Sequence, residues 1–373
     1  MAESTPNATP PRPPETQAIH GTAWRIGDIV RRVLIGLFGI FFFILGIQLM
    51  KSVAGLVGPP LEGVLSRFAD TPWHALAFGW LSAYAVLSGS PVAAMALGFY
   101  ATGYSNPETT FFMIMGSRLG AAFIVIVIGT VAVLRGKPRE KALAMGVLSF
   151  LVTYSIYIPA IFFGWFLIRL KAHEWVQIPT PTGLLDLMDR SFNPIVASVI
   201  GAFAPILAFL IAAVSIYAGL SLFDKAFGQR EAQELRSPRI HMYLKHPAVS
   251  FAIGALVTLA STSVSLSFGL LVPLYLNGYI DRKEIVPYMM GANITTFIDT
   301  LVAGFLYGGG IAANIVFIEM ASVTLFSVVA LAIYGPYSRA IDAAYRYIFH
   351  KNWALALFII LLFAVPMALL FLF

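Results

Sequence analysis

The chain has 373 residues, of which 59% are hydrophobic and only 11% are charged, and its formal net charge is +6. Soluble globular domains carry roughly 25% charged residues, so this composition indicates a polytopic membrane protein and excludes an ordinary soluble domain. Cysteine is absent, which excludes disulfides and thiolate metal sites. Most of the 24 Lys and Arg residues lie in loops between apolar segments, a pattern that indicates membrane topology rather than nucleic-acid binding.

The first half of the chain begins with a polar tail and continues with apolar segments. Residues 1–23 are rich in Pro, Thr, Ser and Glu and predict a disordered tail. A first spanning helix follows at 33–50, and 51–72 predicts an interfacial helix and a loop. Segment 74–101 is apolar but is interrupted by Ser88-Gly89-Ser90-Pro91, where glycine and proline break a helix.

Segment 74–101 can either cross the membrane or enter and leave on one side. If it crossed, the loop 135–141, which holds four basic residues, would lie outside. If it is a re-entrant hairpin, that loop returns to the cytoplasm, as the positive-inside rule requires. The charge distribution therefore favours a hairpin, followed by spans at 111–134 and 142–168.

The same rule orients the second half of the chain. Residues 169–192 predict an external loop, and 193–222 crosses inward to a basic stretch. Segment 248–276 is broken at Thr262-Ser263-Val264-Ser265 and predicts a second hairpin, entered from the cytoplasmic side. The remaining spans are predicted at 285–307, 313–334 and 354–373. The predicted location is the plasma (inner) membrane, with a cytoplasmic N-terminus.

A shift of 175 positions aligns the two halves without a gap. Leu87-Ser88-Gly89-Ser90 then falls on the hydroxyl run Thr262-Ser263-Val264-Ser265, and Met115-Gly116 falls on Met290-Gly291. Residues 33–168 and 193–334 have the same order of segments but begin on opposite sides of the membrane. The sequence therefore predicts an all-α polytopic membrane protein with two inverted-topology repeats, each with a re-entrant helical hairpin and spanning helices.

These two broken segments resemble the paired motifs of the type II sodium–phosphate cotransporters and their bacterial relatives. That family carries two copies of Gln-Ser-Ser-Ser, each followed further along by Gly-Ala-Asn-Ile-Gly-Thr. The second copy here is similar, as Thr262-Ser263-Val264-Ser265 and Gly291-Ala292-Asn293-Ile294-Thr295-Thr296. The first copy is Leu87-Ser88-Gly89-Ser90 and Gly116-Ser117-Arg118-Leu119-Gly120-Ala121, so Arg118 stands where the family has Asn. Both Gln positions and both middle Ser positions also differ, which suggests a divergent bacterial-type member.

The resemblance implies a secondary active transporter that moves phosphate with sodium by alternating access. It implies no cofactor besides sodium as the coupling ion, and phosphate, sodium and the lipid bilayer as partners; a homodimer is left open. Two alternatives remain: an exporter or carrier of a different anion on the same fold, and a non-transporting receptor or scaffold whose motifs have decayed. An enzyme is not expected, because no His or Lys is placed in a span to activate a serine.

The predicted binding residues are the polar groups at the helix breaks. Free backbone N–H groups at a break favour an anion. The predicted anion-binding residues are Ser88, Gly89, Ser90, Arg118, Ser263, Val264, Ser265 and Asn293. The predicted sodium ligands are Thr262, Ser263, Asn293, Thr295 and Thr296. In the alternative interpretation, these hydroxyls only bond within their own helix or hold helices together.

Arg118 and Asp299 each fall inside a predicted span, where a charge costs roughly 2.5–3.5 kcal/mol on insertion scales. Such residues usually face a cavity or each other. Arg118 could bind the anion bidentately, or it could occupy the place of a coupling cation. The alternative is a structural Arg118–Asp299 ion pair that joins the repeats. Glu319 is a weaker buried candidate, predicted near the external end of its helix.

Overall fold

The computed structural model describes residues 26–175, 182–234, 244–261, 264–276, 280–307 and 309–372. The tail predicted at 1–23 lies outside the described residues, as do Thr262 and Ser263. The α-helices of the described part are α1 (Ile26–Val57), α2 (Pro59–Phe68), α3 (Pro72–Val86), α4 (Ser90–Ala101), α5 (Pro107–Ala121), α6 (Phe123–Leu134), α7 (Arg139–Arg169), α8 (Thr182–Ala202), α9 (Pro205–Glu234), α10 (Pro247–Ser261), α11 (Val264–Leu276), α12 (Arg282–Thr295), α13 (Phe297–Leu306), α14 (Gly310–Ala332), α15 (Tyr334–His350) and α16 (Asn352–Phe371). A short 3-10 helix, Ala172–Glu174, follows α7.

Seven stretches of the described chain are long and apolar enough to cross a membrane. A bilayer core of about 30 Å needs roughly 20 apolar helical residues, and each stretch meets or approaches that length. They are Val30–Val53, Pro107–Leu134, Arg139–Arg169, Pro205–Leu222, Arg282–Leu306, Gly310–Ala332 and Asn352–Phe371. Each of the seven predicted spans overlaps one of them. The protein is therefore an all-α, multi-pass membrane protein, as its composition predicts.

Two of these spans are interrupted near their middle. α5 and α6 meet at Ala122, and α12 and α13 meet at Thr296. The ψ angles of these residues are −10° and −19°, less negative than the helical value of about −42°, and the regular helix is interrupted at each of them. α5 and α12 are also the innermost helices, since every side chain from Thr109 to Ala121 is buried in α5. The interruptions therefore lie in the protein interior.

The segments predicted as hairpins each consist of two short helices. α3 and α4 are separated by residues 87–89, and Leu87 adopts the left-handed conformation with φ +57°. α10 ends at Ser261 and α11 begins at Val264, and the two residues between these ends lie outside the described residues. Helices of 12 to 15 residues are about 18 to 23 Å long, so none of the four spans a bilayer alone.

Close glycine contacts reproduce the 175-residue repeat in three dimensions. A Cβ on Gly116 would lie 2.0 Å from the carbonyl oxygen of Leu76, and one on Gly291 would lie 1.9 Å from that of Phe251. Leu76 and Phe251 are themselves 175 positions apart. The contact in the other direction is also repeated. A Cβ on Gly79 would lie 2.0 Å from the carbonyl oxygen of Met113, and one on Gly254 would lie 2.0 Å from that of Tyr288. α3 therefore packs on α5 as α10 packs on α12.

α1 and α9 are also related by the shift, and they pack against each other in opposite directions. A Cβ on Gly46 would meet the backbone nitrogen of Ile216 at 2.6 Å, whereas one on Gly219 would meet that of Phe43 at 2.5 Å. Later residues of α1 thus face earlier residues of α9. The two helices are antiparallel.

The stretch predicted as a loop at 169–192 is partly helical, because α8 begins at Thr182. Its buried Met188 lies beside the exposed Asp186 and Arg190, an amphipathic pattern that was not recognised in the sequence. The predicted segment 193–222 is likewise divided, since α8 ends at Ala202 and α9 begins at Pro205. Proline lacks an N–H group and commonly starts a helix, which explains the division.

Candidate functional site

Arg118 and Asp299 form a buried ion pair between the two halves of the chain. Arg118 Nη2 lies 3.2 Å from Asp299 Oδ1, and the side chains are only 2% and 5% exposed. Arg118 is in the last turn of α5, where the negative end of the helix dipole favours a cation. Asp299 is in the first turn of α13, where the positive end favours an anion. Both helix ends thus stabilise the charge they carry.

The guanidinium of Arg118 is the centre of a polar cluster. Nη1 donates to Ser90 Oγ at 3.2 Å and to Thr296 Oγ1 at 3.1 Å. Nη2 donates to Thr300 Oγ1, which in turn donates to Asp299 Oδ1 at 2.9 Å. The guanidinium carbon lies 5.0 Å from the centre of the Phe297 ring, within the range of a cation–π contact. We call these residues the Arg118 cluster: Ser90, Arg118, Thr296, Phe297, Asp299 and Thr300.

Two atoms of the ion pair have no hydrogen-bond partner although they are buried. These atoms are Arg118 Nε and Asp299 Oδ2. Arginine and carboxylate frequently meet through two parallel hydrogen bonds, and this pair makes only one. Leaving a buried donor and a buried acceptor unsatisfied is costly. The site therefore leaves one hydrogen-bond donor and one acceptor available to a further group.

The Arg118 cluster lies where several helix ends meet. Ser90 is the first residue of α4, and its N-cap Gly89 makes no side-chain capping bond. Gly89 also lies close to the end of α5, because a Cβ there would be 2.7 Å from the Ser117 carbonyl oxygen. Thr296 is the residue that interrupts the span α12–α13. Polar groups at interrupted helices near the membrane centre are the usual binding elements of secondary transporters.

Two predicted ligands bond elsewhere in this structure. Asn293 Nδ2 donates to Thr153 Oγ1 at 3.2 Å, and the Asn293 carbonyl oxygen accepts from the Tyr157 hydroxyl at 2.8 Å. Thr295 Oγ1 donates to the carbonyl oxygen of Ala255 at 2.8 Å, which ties α12 to α10. These contacts match the alternative interpretation, in which polar side chains hold membrane helices together.

Of the other predicted residues, Ser88 and Gly89 lie between α3 and α4. The Ser88 side chain is half-buried, and its backbone N–H donates to the Ala83 carbonyl oxygen at 3.2 Å. Val264 is buried at the start of α11. Thr262, Ser263 and the side chain of Ser265 lie outside the described residues. The structure therefore brings Ser90, Arg118, Thr296 and Asp299 together, but it does not bring Asn293 or Thr295 into contact with them.

The sequence prediction missed two members of the cluster and misplaced the second acidic candidate, Glu319. Thr300 and Phe297 are apolar or neutral neighbours of Asp299, and no motif distinguishes them. Glu319 was predicted near one end of its helix, but it is the tenth of the 23 residues of α14 and is 0% exposed. The difference arises because α14 begins at Gly310, earlier than the predicted 313.

An apolar cavity of about 360 Å³ leads to the Arg118 cluster from one side. α1, α9 and α13 line most of it, and Asp299 is its acidic residue. Its lining residues include Gly39, Phe43, Gly219, Ile298, Asp299 and Val302. In the part of the chain that the structure describes, no three His, Asp or Glu side chains come together as they would around a transition metal.

Comparison with known families supports a transporter. Residues 42–187 match the model of a family described as Na+/Pi-cotransporter. Over this stretch, the chain is similar to the Na+/Pi-cotransporter family. The match confirms the resemblance inferred from the motifs, and it runs from α1 into α8, so it contains Ser90 and Arg118. The second motif copy lies beyond it. No curated protein and no solved structure matches the chain.

The Na+/Pi-cotransporter family consists of transporters rather than enzymes, and the seven candidate spans agree with such a role. The match covers the half in which the motif differs most from the family pattern. The better preserved copy, around Gly291 and Asn293, was the stronger signal in the sequence, yet the family model aligns with the other half. Together, the match and the spans identify a membrane transporter.

Proposed function

We propose that this protein is a sodium-coupled phosphate transporter that works by alternating access and binds its anion at Arg118. The observation that carries the proposal is the buried guanidinium at the meeting point of α4, α5 and α13. Its Nε has no partner, and neither has the adjacent Asp299 Oδ2. The family match over residues 42–187 supports phosphate and sodium as the transported species.

A partly protonated phosphate suits the two unsatisfied atoms. Its charged oxygens accept hydrogen bonds from Arg118 Nε, and its remaining P–OH group donates to Asp299 Oδ2. The guanidinium fork is well matched to phosphate geometry. In this structure, Asp299 Oδ1 accepts a hydrogen bond from Arg118 Nη2. Asp299 thus acts as an internal anion, and the bound substrate takes over part of its contact with the guanidinium. A carboxylate substrate without an O–H group would leave Oδ2 unsatisfied.

Alternating access in this proposal depends on two inverted repeats. The antiparallel packing of α1 and α9 supports inversion, since these helices occupy matching positions of the 175-residue shift. Two equivalent helices that run in opposite directions indicate that the units containing them are inserted in opposite directions. Exchange between two such repeats is a common basis of alternating access.

The contacts of α3 with α5 support a re-entrant hairpin. Near the start of both helices, the Trp73 and Phe112 rings lie 5.3 Å apart, and near their ends a Cβ on Gly120 would lie 2.5 Å from the Trp80 carbonyl oxygen. The helices are therefore parallel. Residues 102–106, which join α4 to α5, reach about 17 Å at most. α4 must then run back toward the start of α3.

Sodium is proposed as the coupling ion because an anion added to the Arg118 cluster brings uncompensated negative charge. Asp299 already neutralises Arg118. The proposed sodium ligands are Thr262, Ser263, Asn293, Thr295 and Thr296, of which the last three bond to protein groups in this conformation.

The purified protein in lipid vesicles provides the test. We expect labelled phosphate to enter when an inward sodium gradient is applied and not when potassium replaces sodium. Uptake that is independent of sodium would contradict the coupling ion, and an absence of uptake for every anion tested would favour a receptor or scaffold.

The anion site itself is tested with Arg118→Asn, which places the family residue at this position. We expect phosphate affinity to fall at least tenfold, because a buried guanidinium contributes charge-assisted hydrogen bonds. The matched control is Arg339→Asn on α15, an exposed arginine outside the Arg118 cluster. Unchanged affinity in Arg118→Asn would remove Arg118 from the site.

A further inference from the structure

Glu319 is a buried acidic side chain that the proposed function leaves unused. It lies near the middle of α14 and is 0% exposed. Neither carboxyl oxygen has a hydrogen-bond partner. An ionised carboxylate in such a place is strongly disfavoured, whereas the protonated acid carries no charge and is far less costly to bury.

The polar groups around Glu319 are bonded to other partners. The Tyr157 hydroxyl, which interacts electrostatically with Glu319, donates to the Asn293 carbonyl oxygen at 2.8 Å. Ser322, one turn further along α14, donates to the Ile318 carbonyl oxygen at 2.7 Å. A metal cation requires several oxygen ligands, and these hydroxyls are already engaged. A proton requires only one carboxyl oxygen.

If Glu319 were ionised, its negative charge would need a positive charge nearby to balance it. Arg118 is the cation that acts on Glu319 electrostatically, but it is paired with Asp299 at 3.2 Å. Arg118 and Asp299 together are neutral. An ionised Glu319 would therefore leave one net negative charge in the protein interior, and a single proton on Glu319 removes it.

Two other tyrosines on helices that pack against α14 have separate hydrogen-bond partners, and a third makes ring contacts. Tyr288 on α12 shares a hydrogen bond with Ser267 at 2.9 Å, and Tyr337 on α15 shares one with Ser155 at 2.8 Å. Tyr154 on α7 packs edge-on against the rings of Trp80 and Phe150. Arg118 and Tyr157 interact electrostatically with Glu319. Of the charged groups on other elements packed against α14, Asp299 is paired with Arg118, and His173 Nε2 lies 3.7 Å from Glu174 Oε1.

We propose that Glu319 is a proton-binding site, which holds a proton in this conformation and releases it to water when the transport cycle exposes α14. In the step, the O–H bond of the Glu319 carboxyl group breaks, the proton passes to solvent water, and the carboxylate keeps the electron pair. This site lies outside the Arg118 cluster and does not depend on which anion is transported. The protein then couples its conformational cycle to pH in addition to any sodium coupling.

Infrared difference spectroscopy of the purified protein in lipid tests proton occupancy without any substrate. At neutral pH, we expect the wild-type protein to show the C=O band of a protonated carboxylic acid, and Glu319→Gln to lack it. Glu140→Gln, which changes an exposed glutamate at the start of α7, is the matched control and should retain the band. A wild-type spectrum without this band, or a band that persists in Glu319→Gln, would overturn the proposal.

Thermal unfolding provides a second readout that also needs no transport. A proton held by the folded protein and released on unfolding makes stability fall as the pH rises. We expect the midpoint of unfolding to fall from mildly acidic to mildly alkaline pH in the wild type and in Glu140→Gln, and to fall distinctly less in Glu319→Gln. Equal pH dependence in all three proteins would count against proton binding at Glu319. Because neither readout measures phosphate, a failure here is distinct from a failure of the proposed transport function.

Discussion

At the scale of single residues, Arg118 shows how a membrane protein stabilises a charged side chain inside an apolar membrane-spanning helix. Its guanidinium is held by Asp299, by three hydroxyl groups and by the face of Phe297. Each contact comes from a different helix end or from the opposite half of the chain. The arrangement stabilises the buried charge and leaves Nε without a partner, and in the proposed function Nε donates to the anion.

The ion pair predicts a specific pattern of stability in a double-mutant cycle. Arg118→Asn leaves Asp299 as an unpaired buried charge, and Asp299→Asn leaves Arg118 unpaired, so each should destabilise the protein by about 3–5 kcal/mol. The double variant removes both charges and should recover most of that loss. Unfolding in detergent measures all four proteins, and additive effects in the double variant would show that the pair is not coupled.

At the scale of helices, the two inner pairs α3–α5 and α10–α12 depend on glycine. Gly116→Ala and Gly291→Ala would place a methyl group about 2 Å from a backbone carbonyl oxygen, which cannot move as a flexible side chain can. We expect each variant to lose about 1–3 kcal/mol of stability through overpacking. The melting temperature of the purified protein measures this loss.

Gly63→Ala in α2 is the control for these substitutions, because a Cβ at Gly63 meets nothing within 4 Å. It should be neutral or slightly stabilising, since alanine favours a helix over glycine by about 1 kcal/mol. Equal melting temperatures for Gly63→Ala and Gly116→Ala would show that the close contact is unimportant.

The 3-10 helix after α7 carries a buried histidine outside the spans. Burial lowers the pKa of the His173 imidazole below its usual value of 6.5. His173 is therefore neutral in the folded protein, while the unfolded chain takes up a proton as the pH falls below about 6.5. The contribution of His173 to stability should be retained above that pH and should decrease progressively below it, opposite in direction to the contribution expected from Glu319.

His173→Gln tests this pH dependence. The variant keeps the backbone carbonyl that accepts from Asn314 Nδ2 at 2.7 Å but cannot take up a proton. Its melting temperature should fall less steeply between neutral and acidic pH than that of the wild type. Parallel curves for the two proteins would assign the acid sensitivity to other groups.

At the scale of the whole molecule, membrane topology distinguishes a hairpin from a broken span. The chain contains no cysteine, so each introduced cysteine reports one position. If α3 and α4 form a hairpin, Asp70→Cys and Ser105→Cys should react with an impermeant thiol reagent from the same, external side. Lys137→Cys should react only from the cytoplasmic side.

The opposite result has an equally clear meaning. Reaction of Ser105→Cys from the cytoplasm together with external reaction of Asp70→Cys would mean that α3 and α4 cross the membrane as one broken span. The assignment of the N-terminus to the cytoplasm would have to be revised if all three positions reacted on the sides opposite to those expected.

The sequence by itself determined the membrane-spanning segments and the internal repeat. Each of the seven predicted spans overlaps a helix long enough to cross, because the thickness of a bilayer and the need to satisfy every backbone group fix the length of apolar helices. The break beside Ser88 follows from Gly89 and Pro91 in the same local way, whereas the interruption at Thr296 in the predicted span 285–307 was not predicted. The repeat needed only an alignment of the chain with itself.

Only the tertiary structure decided which polar groups meet. Asn293 matches Arg118 through the repeat, yet it bonds to Thr153, whereas Thr300, which no motif marks, contacts the guanidinium. Glu319 likewise could not be placed from the sequence. Spacing along a helix fixes which face a residue occupies, but its partners depend on how that helix is rotated and packed against helices distant in the sequence.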